Sequence, residues 1–393
     1  MRNTCQFPYN FRKYDKVSAG DACFWGIYWG LAYFYRHLAG SMKKVLVDMH
    51  RLKYNPFNGL YSVCINLGKA LAAMPSNDME LCYYLPRKDF GIFGKDQQYV
   101  EHRSFDKFYM PGTGRYDLWH VTTQLSWYRP FNKRTKVVYT LYDFSYLIED
   151  AQNVKRNQRL LKETQQRIDR ADYITGISQF AIDEAARHLD LGNKPTKAIP
   201  LGCTIDEFPS FDSPKYRPSK PFLFTIGLVQ PRKNFHVLPP LLLDNDLELV
   251  IAGLNNYEYG KEVVAAAEKF GVADRVKLIG PASEEEKYWY YKNCEAFLFP
   301  SYAEGFGLPV IEAMYHGKPV FISDRTSLPE VGGDAAYYFR SFDPDQMREA
   351  FRMGMQDYAQ NRPASKIKAQ AMRFNWNNTA AAYMDVYAGL LGT

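Results

Sequence analysis

The stretch EGFGLPVIE, Glu304 to Glu312, sets two carboxylates eight positions apart around two glycines, a phenylalanine and a proline. One helix through both glutamates is disfavoured, because Gly305 and Gly307 weaken a helix interior and Pro309 lacks the N–H that an interior turn needs. The chain therefore changes structure midway. Upstream, EAFLFPS is a short apolar run closed by Pro300 and Ser301, the pattern of a buried strand. Downstream, Pro309 suits the first turn of a helix, PVIEAMYH, which Gly317 ends. Glu304 is then expected just beyond the C-terminal end of a strand, where open α/β sheets bind ligands, and Glu312 near the positive end of the following helix. Helix amides suit a phosphate and carboxylates accept hydrogen bonds from hydroxyls, so the corner reads as a site for a phosphorylated, hydroxyl-rich molecule.

Strand and helix alternate on both sides of this corner. From Met42 the chain reads VLVDM, a helix GLYSVCINLGKALAAM, LCYYL, DLWHV, KVVYTL, a basic helix over 153–170, DYITGIS, a helix QFAIDEAARHL and KAIPL. Between Gly202 and Pro221 it turns polar and irregular. A second series follows with FLFTIGL, LELVIAG, RVKLIG, AFLFP, PVFIS and AAYYF, interleaved with helices. Repeated alternation predicts an α/β protein of two Rossmann-like, doubly wound domains facing an interdomain cleft. The expected boundaries are 42–202 for the first domain, 203–221 for the linker and 222–372 for the second. The last segment, 373–393, is an amphipathic helix with Phe374, Trp376, Tyr383 and Tyr387 available to pack back on the first domain. No G-x-G-x-x-G follows the first strand of either half, which argues against a standard NAD dehydrogenase.

The 393 residues suit two domains. Six scattered cysteines with no C-x-x-C pair point to reduced thiols in the cytoplasm rather than to a disulfide framework or a structural zinc. A net charge of +6 agrees with anionic substrates, a membrane surface or plain solubility, and alone decides between none of them; no nucleic-acid partner is expected. Residues 1–41 differ from the rest. Phe24–Tyr35 is apolar and aromatic but shorter than the ~20 residues of a bilayer-spanning helix. The segment reads as a leader, as a vector-derived extension ending in Gly40-Ser41, or as an aromatic interfacial anchor.

The loop after the second domain's first strand, GLVQPRKNF, carries Arg232 and Lys233, with Asn234 placed to cap a following helix. Loops after parallel strands share one sheet edge, so these cations should face Glu304. Three motifs in order, G-x(3)-P-R-K-N, E-G-F-G-L-P-x-x-E-A-M with its glutamate, seven residues, glutamate spacing, and SLPEVGGDAAYYF, resemble the retaining glycosyltransferases of family 4, which have the GT-B fold. The likeness runs from Met42 onward and is strongest between Phe222 and Phe339.

The resemblance implies a metal-independent, retaining hexosyltransferase with no cofactor, whose donor is a nucleotide-diphosphate sugar, mannose being weakly favoured. It implies a saccharide or lipid-linked saccharide as acceptor, in glycan or polysaccharide synthesis. By position, Arg232 and Lys233 grip the diphosphate and Glu304 holds hydroxyls of the donor sugar. Glu312 holds the ribose, and Gly305 with the amides of Phe306, Gly307 and Leu308 lines the sugar and phosphate. Gly59, in NPFNGLYSV, resembles the family's glycine loop, and His120, Tyr142 and Asp143 fall where the family has acceptor-side residues. Chemically the set is coherent, since fixed cations and amides stabilise a leaving diphosphate more than its bound ground state.

Two departures stand out: Tyr142-Asp143 replaces the family's frequent His-Asp, and Pro239-Pro240 interrupts the helix after Lys233. His120 closes an apolar run and reads equally as a core histidine. A catalytically degenerate GT-B subunit that binds nucleotide or saccharide is the alternative reading. Six Lys or Arg residues in the basic helix Val154–Arg170 are either a solvated face or a peripheral contact with the anionic inner face of a membrane.

Overall fold

The computed structural model describes residues 42–53, 59–255 and 257–393. The segment 1–41, with its leader or anchor reading, lies outside the described residues, as do residues 54–58 of the glycine loop.

Two parallel sheets organise the chain. The first holds seven strands in the order β3-β2-β1-β4-β5-β6-β7. These are β1 (Lys43–Asp48), β2 (Met79–Leu85), β3 (Gln98–Glu101), β4 (Leu118–Val121), β5 (Lys136–Leu141), β6 (Tyr173–Gly176) and β7 (Thr196–Ala198). Its helices are α1 (Gly59–Ala72), a single turn α2 (Tyr146–Glu149), α3 (Val154–Arg170) and α4 (Gln179–His188). Alternate residues of each strand serve opposite faces, as the two-residue period requires. Val45, Val47, Leu81 and Tyr83 pack with Cys64 and Leu67 of α1, while Leu46, Tyr84, Trp119 and Tyr139 pack with Ile168 of α3.

The second sheet has six strands in the order β10-β9-β8-β11-β12-β13. They are β8 (Phe222–Ile226), β9 (Glu248–Ala252), β10 (Val276–Gly280), β11 (Ala296–Phe299), β12 (Val320–Ser323) and β13 (Tyr337–Phe339). The helices between and after them are α5 (Tyr257–Lys269), α6 (Glu284–Asn293), α7 (Leu308–Tyr315), α8 (Leu328–Gly332), α9 (Pro344–Asn361), α10 (Ala364–Met372) and α11 (Trp376–Leu391). Both strand orders reverse between the first and fourth strands of the sheet, at β1/β4 and at β8/β11. A crevice opens at such a switch point, beyond the carboxyl ends of the strands. The loops after β8 and β11 carry Lys233 and Glu304, so both residues flank the crevice of the second sheet.

The final helix leaves the second sheet. Cys203 N donates to the Phe374 carbonyl at 3.0 Å, and a side chain added at Gly202 would meet the Trp376 backbone N at 2.4 Å. From there α11 buries Ala380, Tyr383, Val386 and Tyr387 in the first domain's core, beside Val138 and Leu118.

One expectation changes. Asn234 caps no α-helix: it adopts left-handed backbone with φ +58°, and 3-10 turns at Phe235–Val237 and Pro239–Leu242 follow. With two consecutive prolines, residues 239 and 240 supply no N–H, and a regular helix cannot propagate through them. The Asn234 amide instead donates to the Pro300 carbonyl at 3.2 Å, tying the cation loop to the end of β11.

Candidate active site

The cations are presented by a 3-10 turn, Pro231–Lys233, at the end of the loop after β8. Lys233 is buried, and its Nζ lies 2.6 Å from Glu304 Oε1 and 4.6 Å from the centre of the Phe299 ring. Burial lowers the Lys233 pKa from the ordinary lysine value; Glu304 opposes the shift and neighbouring Arg232 adds to it. Arg232 places Nη1 3.2 Å from the Ala303 carbonyl and 3.5 Å from Glu304 Oε2. Its Nε sits 2.6 Å from Glu149 Oε1 of α2, on the first domain. The Nε–H is not aligned with that carboxylate, which makes the contact an ion pair without a hydrogen bond.

The corner around Glu304 is held from below. Glu304 N donates to Thr326 Oγ1 at 3.0 Å, and Ser327 Oγ donates to the Glu304 and Phe306 carbonyls at 2.9 and 3.2 Å. Gly307 opens α7 at φ +107°, a conformation that disfavours any side chain. The amides of Phe306, Gly307 and Leu308 donate to no group among the described residues. Unpaired N–H groups at a helix start are suited to an anion.

Glu312 sits a full turn into α7. Its Oε2 accepts from Tyr291 OH at 2.6 Å, and its Oε1 lies 3.7 Å from Lys287 Nζ. A shallow recess beside it is lined by Thr204, Asp206, Lys287, Tyr288 and His316. Although burial works against it, Glu312 and Glu284 raise the Lys287 pKa, and that ammonium is retained at neutral pH.

The first domain closes over this corner. A Cβ placed on Gly305 would stand 3.0 Å from Asp143 Oδ2 and 3.1 Å from the Tyr142 carbonyl. Gln124 fixes that strand end, its Oε1 accepting from Tyr142 N at 2.6 Å and from Asp143 N at 3.1 Å. Ser178 Oγ, which caps α4, also donates to the Gly305 carbonyl at 3.1 Å. Glu330 of α8 accepts from the α4 amides of Gln179 and Phe180 at 2.7 and 2.6 Å.

His120 does not join the site. It is fully buried in β4, with Nδ1 2.6 Å from Tyr387 OH and Nε2 2.8 Å from Thr140 Oγ1. Burial depresses its pKa to about 3, so it is a neutral core imidazole between the sheet and α11. Gly59 is exposed at the start of α1, next to residues outside the described set.

Arg232, Lys233, Glu304 and the orphan amides thus form one corner, with Tyr142 and Asp143 facing it. Residues 208–371 match the family profile "Glycosyl transferases group 1". That likeness spans the second sheet and its helices. It is 31% identical over 245 residues to the serotype-specific mannosyltransferase WbdA of Escherichia coli, covering 57% of this chain and 29% of WbdA. It is 28% identical over 271 residues to the O-antigen chain mannosyltransferase B of Escherichia coli, covering 64% of this chain and 70% of that protein. The chain thus spans under a third of the first relative's length. A sucrose-phosphate synthase from Thermosynechococcus elongatus superposes with a TM-score of 0.67 at 17% identity, over 89% of this chain and 99% of that one. The architecture is the GT-B fold.

Within residues 208–371, sequence reading missed Thr326 and Ser327, although the motif SLPEVGG begins at Ser327. Glu149 and Gln124 carried no local signal, because each acts on a partner distant in sequence, and Glu330, although inside SLPEVGG, was assigned no role. Among the described residues no group of three or more His, Cys, Asp or Glu side chains is placed to hold a metal ion, and no helix is long and apolar enough to cross a membrane.

Proposed function

We propose that the protein is a retaining hexosyltransferase that moves a sugar from a nucleotide-diphosphate donor to a saccharide or lipid-linked saccharide. The observation that carries this reading is the Lys233–Glu304 contact of 2.6 Å beside Arg232 and the unpaired amides of Phe306 to Leu308. Donor hydroxyls approach Glu304, the diphosphate lies against Lys233, Arg232 and the amides, and the ribose meets Glu312. As the bond from the anomeric carbon to the diphosphate breaks, the electron pair leaves with the phosphate oxygen, and preorganised cations and N–H groups stabilise that charge. The acceptor oxygen forms the new bond on the same face, and its proton passes to the departing diphosphate. With charge compensation supplied by side chains and amides, the reaction is metal-independent. The names of the relatives make mannose the first sugar to try. Contact with an anionic membrane belongs to the same reading, through a lipid-linked acceptor.

The test is a screen of nucleotide sugars, GDP-mannose first, for slow hydrolysis read as release of the nucleoside diphosphate. NMR of a transfer product then gives the anomeric configuration. Affinity without turnover of any donor would reduce the protein to a binding subunit. Activity lost in EDTA and restored by manganese would overturn metal independence.

A further inference from the structure

Seven large aromatic side chains are exposed among the described residues, and five of them, Phe105, Phe108, Tyr109, Trp127 and Phe131, fall in two loops. These are the loop between β3 and β4 and the loop between β4 and β5. Phe108 and Tyr109 are 66% and 60% exposed and Trp127 is 58% exposed, so more than half of each side chain faces solvent. The two loops meet. Lys107, Phe108, Trp127, Arg129, Arg167 and Arg170 line one groove of about 430 Å³ between them and α3, with Glu163, which faces Arg167 at 3.9 Å, on its wall.

Unpaired charge on these loops has one sign. Lys107, Arg129, Lys133 and Arg134 are exposed and make no ion pair with any carboxylate among the described residues. The two acidic residues of these loops are engaged: Asp106 is buried and accepts from Tyr84 OH and Arg103 N, and Asp117, at the foot of β4, accepts from Lys44 N and pairs with Lys43. Aromatic rings with unpaired cations suit a headgroup region, where amphipathic rings insert and basic side chains meet anionic lipid.

We infer that the face formed by residues 103–109 and 127–134 docks on an anionic lipid bilayer. This rests on the transferase reading and names the surface from which its acceptor arrives. It also moves the contact off the basic helix, since of α3's six cations only Arg167 and Arg170 reach the groove. Both are already engaged, Arg167 Nε with the Ser126 carbonyl and Arg170 with the Asn132 and Thr135 carbonyls. The face connects to the site through one short segment. Gln124, three residues before Trp127, holds the backbone of Tyr142 and Asp143 against Gly305. A lipid-linked saccharide on the bilayer would therefore approach along the loop that shapes the acceptor side.

Flotation of the full chain with vesicles tests this, comparing phosphatidylcholine alone with an equal mixture of phosphatidylcholine and phosphatidylglycerol. Binding is expected on the anionic vesicles only, with release as salt rises to about 0.5 M. Replacing Arg129, Lys133 and Arg134 together by Gln should weaken it about 100-fold, and Phe108→Ser with Trp127→Ser about tenfold. Replacing Lys155, Arg159 and Lys162 of α3 by Gln should leave it within about twofold. The inference is overturned if the full chain ignores anionic vesicles, if it binds neutral ones equally, or if the loop variants float like the wild type. It is overturned too if only the α3 variant loses binding. Circular dichroism verifies folding, and nucleotide-sugar hydrolysis by the loop variants should match the wild type. A chain that floats but hydrolyses no donor would sink the transferase reading and leave the docking face standing.

Discussion

Arg232 Nε and Glu149 Oε1 stand 2.6 Å apart across the interdomain cleft, so the guanidinium assigned to the donor's diphosphate is already paired with a carboxylate of the opposite domain. Arg232, Lys233, Glu304 and Glu149 sum to zero charge. Entry of a diphosphate into a neutral cluster requires one anion to leave, and Glu149, being partly exposed and on a single-turn helix, is the one free to do so. Glu149→Gln is expected to bind nucleoside diphosphate about fivefold more tightly, the scale of a partly exposed ion pair. Titration calorimetry measures this, and weaker binding would make Glu149 a support for Arg232 instead of its competitor.

Lys233 and Glu312 should separate kinetically. Lys233 faces a charge that grows as the bond breaks, so Lys233→Ala is expected to lower kcat about 100-fold or more, as removal of one preorganised donor does. Glu312 faces ribose, which changes little, so Glu312→Gln should mainly raise KM for the donor. Steady-state kinetics on one verified donor, with circular dichroism to confirm folding, is the measurement. A near-normal kcat for Lys233→Ala would place the leaving-group charge elsewhere.

Gly305→Ala tests the closure of the domains. Its methyl would stand 3.0 Å from Asp143 Oδ2 and 3.1 Å from the Tyr142 carbonyl, tighter than ordinary contact, so the interface must part by some tenths of an ångström. A misplacement of about 1 Å at a reacting centre costs up to about 100-fold in rate, so a shift of some tenths should cost less than that. The substitution should depress kcat/KM while thermal unfolding shifts by only a few degrees. Unchanged kcat/KM would show that this approach is not needed for turnover.

His120 gives the acid side of the stability profile. Its folded pKa of about 3 lies below the ordinary value of 6.5, so the unfolded chain binds the proton first. Stability contributed by the neutral imidazole is complete above pH 6.5 and falls as pH drops towards 3. At pH 5 the loss is about 2 kcal/mol. His120→Gln should be less stable at pH 7 but show a flatter decline between pH 6.5 and 5 in urea unfolding. An equally steep decline would assign the titration to other groups, His102 and His316 among them, whose pKa values are each lowered to about 4.

Strands whose residues are buried on both faces were legible in the sequence, because VLVDM, KVVYTL and AFLFP are short runs dominated by apolar residues. β3, Gln98–Glu101, was not: it is an edge strand of four part-polar residues, and such a run carries no hydrophobic period. The corner at Glu304 was legible because its chemistry is local, with glycines, a proline and two acids fixing loop and helix start within nine residues that follow closely on the strand AFLFP. His120 shows the opposite case. Whether a histidine closing an apolar run meets solvent or a tyrosine depends on α11, more than 250 residues later. Glu149 was silent for the same reason, since a surface acid takes its meaning from the domain that docks on it; Glu330 stands inside SLPEVGG, but nothing in that motif points to its partners, the α4 amides.

The return of α11 to the first sheet governs the order in which the molecule can be made. Tyr383 and Tyr387 supply ring surface to the first core, and Tyr387 supplies the hydroxyl that satisfies His120, yet they leave the ribosome roughly 180 residues after β7. At about 5–20 residues per second, that is a delay on the order of 10–40 s. Through that interval the first domain holds a half-covered apolar face and an unpaired imidazole nitrogen while the second domain is already able to fold. The nascent chain is thus most exposed to aggregation and chaperone capture at its N-terminal half, and the last helix acts as the bolt that ends this interval.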